Sequence, residues 1–406
     1  MRILVVSNLY PPHEIGGYEL GCRDVVDALR SRGHDVTVVT STYGVDAPSA
    51  DDGVERRMIY LPRRTGGRAA HVAKVIRREW VNHGQLRRLC RRVRPQVVYI
   101  WCPRGLSMML GATAEKLGAA VCYYIFDHWL ADANTDSWVR YWQAARRGGL
   151  AGGLGAVLRP MAAMFKLPTD VGALAQQQVQ FCTKFIEQGA ADAGFAAANG
   201  RVIYWGLDMT QFPYPPKRDD VHRLLFVGRF SAQKGAHTAV EALHHVLQQR
   251  PQLDVSLTMV GDGDDEAYMR SLRERVEQFG LAQRVNWIGW QPRQQLVSIY
   301  GEHDVFLFPS IWAEPFGIVR LEAMACGMAV VSTSTGGTGE VLEHGRNALL
   351  FREDDSEHCA EQILRLCGDG ALFAALGQRG RETVERTFSF ERTVDEIEQS
   401  LEAACH

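Results

Sequence analysis

No pair of cysteines in this 406-residue chain has C-x-x-C spacing, and its nine cysteines are scattered. Neither a zinc cage nor a disulfide framework is suggested. Cys122 and Cys326 lie in apolar segments and read as small core residues in a reducing compartment. The chain also lacks G-x-G-x-x-G, a Walker A sequence and H-E-x-x-H, which leaves dinucleotide oxidoreduction, ATP hydrolysis and zinc hydrolysis without support. No stretch approaches the ~18 apolar residues of a membrane span, and the strand-like run Met1 to Val6 is too short for a signal peptide. A cytoplasmic protein is expected, either free or lying against an anionic membrane surface. With a net charge of −2 the chain gives no global signal for a nucleic-acid partner.

What is present is an alternation of apolar runs and amphipathic stretches, long enough for two domains with separate cores. Hydrophobic content is 46% and charge 23%, ordinary values for a globular protein. Arg2 to Ser7 reads as a buried strand, followed by the Pro-Gly loop Tyr10 to Gly17, a helix from Tyr18 to Arg32 and a strand from Asp35 to Thr40. Further strands are expected at Val97 to Trp101 and Val121 to Phe126. In the second half they are expected at Leu224 to Val227, Val255 to Val260, Val285 to Ile288, Val305 to Phe308 and Ala329 to Ser332. The pattern predicts doubly wound parallel sheets covered on both faces. The glycine-rich stretch Arg146 to Lys166 reads as a mobile connection or a flap. From Glu55 to Arg94 there are thirteen Lys or Arg against two Glu, so one face of the first half is expected to be basic. That run is open to three readings: a solvated surface, an anionic-lipid contact, or a site for an acceptor phosphate.

The most informative segment runs from Glu314 to Glu322, two carboxylates eight positions apart. Pro315 biases Glu314 toward extended backbone, Gly317 permits a tight turn, and the apolar run from Ile318 predicts a helix that Gly327 stops. The backbone N–H groups at such a tip, from Gly317 through Ile318 and Val319 to Arg320, form a seat for phosphate. Glu322, one turn in and tilted back toward the tip, is expected to accept from neutral hydroxyls such as those of ribose. Glu314 would face another polyol. The combined reading is a nucleotide-diphosphate sugar held at both ends.

The segment EPFGIVRLEAMACGMAVVSTSTGG resembles the E-x7-E signature of retaining glycosyltransferases of the GT-B fold, most closely glycosyltransferase family four. The likeness extends to RILVVSNLYPPHEIGG, FVGRFSAQKG, VGDGDD, VNWIGW and FSFERTVDEIEQSL. It implies two Rossmann-like doubly wound domains facing a cleft. These would be an acceptor domain over 1–205, a nucleotide-sugar domain over 206–385, and a last helix over 386–406 that returns to the first domain.

Arg229 and Lys234 follow a strand of the second half and flank a turn closed by Gly228 and Gly235. At a strand's carboxyl end, two cations suit a departing nucleoside diphosphate, which gains negative charge. Gly16 and Gly17, in the loop after the first strand, would let backbone approach a diphosphate or sugar closely. Asp262-Gly263-Asp264 satisfies a D-x-D pattern, but its Gly-Asp-Gly setting is explained by turn formation and helix capping, and no metal is expected. The resemblance assigns Gly261 and the backbone near Ile288 to the nucleotide base, with Pro315 and Phe316 in the donor loop. It also implies a site His before an Asp where this chain has Phe126, Asp127 and His128. That reversed order leaves open which of Asp127 and His128 touches the sugar.

The resulting expectation is a retaining, metal-independent glycosyltransferase with no cofactor beyond its UDP- or GDP-linked donor, acting on a sugar, lipid-linked or small-molecule acceptor in glycan or glycoconjugate synthesis. Two alternatives stay open: a sugar phosphorylase of the same fold, and a non-catalytic nucleotide-sugar-binding subunit.

Overall fold

The computed structural model describes the chain apart from residues 14–15, 46–48, 62–67, 171–177, 196, 198, 215–219 and 406. It divides into two compact units, Met1–Ile203 with Val394–His406, and Tyr204–Thr393.

The first unit contains, in chain order, β1 (Arg2–Ser7), α1 (Gly17–Ser31), β2 (Asp35–Ser41), β3 (Ser49–Asp51), β4 (Val54–Met58), α2 (Arg68–Val93), β5 (Val97–Cys102), α3 (Leu110–Glu115), β6 (Ala120–Ile125), α4 (Ser137–Arg146), α5 (Gly149–Met164), β7 (Gln178–Phe181), α6 (Lys184–Asp192) and β8 (Asn199–Val202). Its sheet runs β3-β4-β2-β1-β5-β6-β7-β8, parallel except for the β3–β4 pair. The central strands β1 and β5 are buried along nearly their whole length, as continuous apolar runs in a two-sided parallel sheet must be. α1 stops at Gly33, which takes the left-handed backbone, φ +86°, that closes many helices.

Two expectations for this unit are corrected. The stretch Arg146 to Lys166 is no loose connection, since most of it is α5. Its glycines weaken helix propensity, but they allow close packing on α4: a Cβ on Gly155 would lie 2.7 Å from that of Ala145. The basic run does not form one face. Arg78 turns inward, 3% exposed, to Glu79 and Asp136. Arg57 and Arg92 both pair with Glu55, and Arg56 donates to the Tyr10 carbonyl at 3.1 Å. Arg63 and Arg64 lie outside the described residues.

The second unit contains β9 (Arg223–Val227), α7 (Ala236–Gln249), β10 (Ser256–Val260), α8 (Glu266–Gln278), β11 (Val285–Ile288), α9 (Arg293–Glu302), β12 (Val305–Phe308), α10 (Ile318–Ala325), β13 (Ala329–Ser332), β14 (Leu349–Leu350), α11 (Ser356–Gly368) and α12 (Gly370–Thr387). All strands are parallel, in the order β11-β10-β9-β12-β13-β14. Leu224, Leu257, Val305 and Val331 are fully buried between the helix layers, with Val240, Leu243 and Ile363 in the same core.

The last helix, α13 (Phe390–Ala404), begins in the second unit and ends in the first. Its start is fixed by backbone bonds from Leu207 N to Phe388 O at 2.8 Å and from Phe390 N to Leu207 O at 3.0 Å. Further along, Glu398 binds Arg32 and His34, both at 2.6 Å. These bonds hold the end of the chain to the first unit.

Candidate active site

In the second sheet the strand order reverses between the adjacent strands β9 and β12. At such a point the loops leaving the two carboxyl ends diverge and leave room for a ligand. Here the β9 loop carries Arg229 and Lys234, and the β12 loop carries Glu314. The two loops are tied together near their bases: Ile311 N and Trp312 N donate to Gln233 O at 3.0 and 3.1 Å. Gly235 makes this approach possible. Its φ is +66°, and a Cβ there would stand 2.0 Å from the Pro309 carbonyl oxygen.

Glu314 is 4% exposed. Its Oε1 accepts from Lys234 Nζ, and from Ser310 Oγ at 2.8 Å. The Lys234 ammonium also sits 4.8 Å from the centre of the Trp312 ring, a favourable cation–π distance. The backbone of Glu314 is gripped as well. Gly337 N donates to its carbonyl at 2.8 Å, and a Cβ on Gly336 would come within 2.5 Å of that same oxygen. A carboxylate so buried is tolerated because a cation and a hydroxyl meet it. Arg229 stands exposed on the same loop, and among the described residues no carboxylate lies within ion-pair distance of it. The structure thus joins Lys234 to Glu314 and does not join Arg229 to either.

α10 begins at Ile318, where the sequence places it, after Pro315, the fully buried Phe316 and Gly317 at φ +81°. Gly317 has no side chain with which to cap the helix, and no described side chain accepts from the N–H of Ile318 or Val319. Arg320 donates its N–H to Gly317 O at 3.2 Å. Its guanidinium is fully buried and donates to Phe316 O at 2.9 Å and Thr338 O at 3.0 Å. Burial pushes the guanidinium down to about 9, against the pull of the Glu314 carboxylate. It is therefore cationic at neutral pH and leaves a fixed positive charge beneath the donor loop. Arg320→Met is expected to free two buried carbonyls and destabilise the second unit by about 2–4 kcal/mol, read as a lower urea midpoint.

Glu322 departs from its expected posture over the helix tip. It is buried, and its carboxylate reaches α9: Tyr300 Oη donates to Oε2 at 3.0 Å, and Arg293 Nε lies 3.1 Å from Oε1. Burial raises its pKa, and Arg293 opposes that shift. Gly261 N bonds to Ile288 O at 3.0 Å across β10 and β11, so both of these base-side candidates sit at strand ends of one sheet. Asp262 accepts from Trp290 N at 3.1 Å, while the cap of α8 is Asp265, the residue just past the D-x-D triplet. Among the described residues no group of three or more His, Cys, Asp or Glu is placed to hold a metal ion.

In the first unit the strand order reverses beside β1. Gly16 and Gly17 are exposed there, and a Cβ on Gly16 would meet nothing within 4 Å. The Gly16 N–H donates to Glu19 Oε2 at 3.0 Å. Asp127 accepts from Trp129 N at 2.7 Å and lies 3.3 Å from Arg104. Burial lifts its pKa and Arg104 opposes the rise. The His128 ring stands edge-on to Phe185 at 5.5 Å.

Sequence reasoning missed Ser310, Trp312, Arg293, Tyr300 and Arg104. Ser310 and Trp312 were within reach, since they lie between a strand end and Glu314. Arg293 and Tyr300 carried no local signal, because their partner is on another helix.

Residues 15–211 match the description "Glycosyltransferase Family 4" and residues 210–383 match "Glycosyl transferases group 1". The chain belongs to the group 1, family 4 glycosyltransferases. Glycogen synthase of Mycobacterium tuberculosis is 24% identical over all of this chain and 95% of that protein. Spore coat protein SA of Bacillus subtilis is 29% identical over 43% of this chain and 47% of its own length, so with that relative this glycosyltransferase shares about half. Anabaena HepE, solved with UDP, superposes with a TM-score of 0.70 at 22% identity, covering 99% of this chain and 100% of that one. At that identity the likeness establishes the fold, which is GT-B.

Proposed function

We propose that this glycosyltransferase moves a sugar from a UDP- or GDP-linked donor to an acceptor hydroxyl, with retention of anomeric configuration and without a metal. One observation carries the reading: Lys234 and Glu314 meet at the β9/β12 reversal, beside a helix tip that no described side chain caps. HepE, which shares the fold, has been solved with UDP and with UDP-glucose.

In this reading the tip at Gly317, Ile318 and Val319 receives a phosphate, and Arg229 with Lys234 offsets the charge that builds on the leaving diphosphate. Glu314 accepts from sugar hydroxyls. Glu322, held in one orientation by Tyr300 and Arg293, keeps lone pairs for the ribose hydroxyls. The bond from the anomeric carbon to the β-phosphate oxygen breaks as the acceptor oxygen bonds to the same face. The acceptor proton passes to the departing phosphate oxygen, so no separate general base is required.

The test is to incubate the protein with UDP- and GDP-sugars, follow thermal stabilisation and nucleotide release, and assign the product anomer by NMR. Stabilisation by a nucleotide sugar, release that persists in EDTA and a retained anomer are expected. Absence of both stabilisation and nucleotide release for every donor would overturn the reading. Lys234→Ala is expected to weaken UDP or GDP binding by roughly 10–100-fold, the loss of one charge-assisted contact of about 1.5–3 kcal/mol, measured by calorimetry.

A further inference from the structure

One surface of the first unit contains none of the residues assigned above to the donor. Along α2, Val72, Ile76 and Trp80 follow one another at intervals of four, which places them on one helical face, and they are 55%, 48% and 55% exposed. On α5, Val157, Met161 and Met164 share a side with Phe165 just beyond the helix, and they are 66%, 51%, 68% and 42% exposed. The Phe165 ring stands edge-on to Trp80, with centroids 6.5 Å apart, which brings the two apolar faces together. Large apolar side chains gathered this way on a surface mark a contact site.

The occupant is indicated by charge. The α2 face continues from Trp80 to Arg87 and Arg91, and both line a cavity of about 470 Å³ together with Lys116, Arg159 and Lys166. Arg87 donates to the carbonyls of Lys166 and Phe165 at 3.1 and 3.4 Å, which ties the cavity to the edge of the apolar patch. Among the described residues none of these five cations lies within ion-pair distance of a carboxylate. Among the described residues the one acid lining the cavity is Asp170, which pairs with Arg146. Burial and the neighbouring Arg91 both lower the Arg87 pKa. An apolar patch bordered by uncompensated cations is complementary to an anionic bilayer, with the apolar side chains below the headgroups and the cations among the phosphates.

We propose that this face, the α2 stripe Val72–Ile76–Trp80 with the apolar side of α5 and the adjoining cationic cavity, docks the enzyme on a membrane rich in anionic phospholipid. No helix among the described residues is long and apolar enough to cross a membrane, so the contact is interfacial.

The experiment is flotation of the full chain with two vesicle types, phosphatidylcholine alone and phosphatidylcholine mixed with phosphatidylglycerol. Recovery with the anionic vesicles only, reduced by high salt, is expected. Arg87→Glu with Arg91→Glu should lower partitioning at least about tenfold, and Trp80→Ser with Met164→Ser should lower it comparably. Both sites are on the surface, and an unchanged thermal melt verifies the fold. If a melt does change, Val157→Ser alone carries the apolar test. No flotation, equal flotation with both vesicle types, or wild-type partitioning by the variants would overturn the proposal. Loss of partitioning on adding inorganic phosphate at constant ionic strength would also overturn it, since it would assign the cavity to a soluble anion. Donor hydrolysis is measured without vesicles, so a failure here leaves the glycosyltransferase reading standing.

Discussion

Replacing Glu314 with alanine is expected to lower glycosyl transfer by roughly 10²–10³-fold, the range for losing one preorganised polar contact to a reacting group. Two effects combine. The carboxylate that accepts from the sugar is lost, and Lys234 loses the partner that fixes its ammonium over Trp312. The fold should persist, because Ser310 Oγ stands 3.2 Å from the Gln233 carbonyl and retains an acceptor there. Lys234, 19% exposed, can reach water. Steady-state turnover with a saturating nucleotide sugar, set beside the thermal melt, separates the outcomes. Unchanged turnover would remove Glu314 from the site, whereas lost turnover with a collapsed melt would assign it a structural part.

A large effect on stability and on nucleotide binding together is expected from Gly235→Ala. The added Cβ would enter at 2.0 Å from the Pro309 carbonyl oxygen, a backbone atom that moves only with the whole β12 loop, and the residue would be held at φ +66°. Left-handed backbone costs a non-glycine residue of order 1 kcal/mol, and overpacking adds typically 1–3 kcal/mol. A loss of about 2–4 kcal/mol follows, lowering the melting temperature of the second unit by roughly 10 °C. Separating the two loops would also part Lys234 from Glu314, so nucleotide binding should fall with stability. A variant that melts and binds as the wild type does would show that the loops need not touch.

Much of the second unit was legible in the sequence. Its five expected strands lie within a residue of the observed ones, because buried parallel strands are uninterrupted apolar runs bounded by glycine or charge. β14, two residues long, and β8, reading Asn-Gly-Arg-Val, escaped because edge strands that short carry no pattern. The start of α10 was legible because Pro315 restricts the backbone before it and Gly317 permits the left-handed turn, φ +81°, from which the helix begins. The state of Glu322 was not, since whether it faces the helix tip or α9 depends on where Tyr300 and Arg293 arrive. The glycine-rich stretch misled for a related reason. Propensity disfavours a helix there, and packing against α4 overrides it.

Arg320 and the basic run show the same division. A count of arginines gives charge but not direction: Arg78 is drawn inward by Glu79 and Asp136, while Arg87 and Arg91 line a cavity a few turns further along the same helix. By itself the sequence determined the alternation of strands and helices, the absence of dinucleotide and zinc motifs, and the placing of Glu314 ahead of a helix tip. These are local properties, written in neighbouring residues. Tertiary structure alone decided that Lys234 meets Glu314 from 80 positions away, that Glu322 turns to α9, and that apolar stripes from α2 and α5 share one face. Each of these is a contact through space, set by how sheets and helices pack and not by the chain on either side.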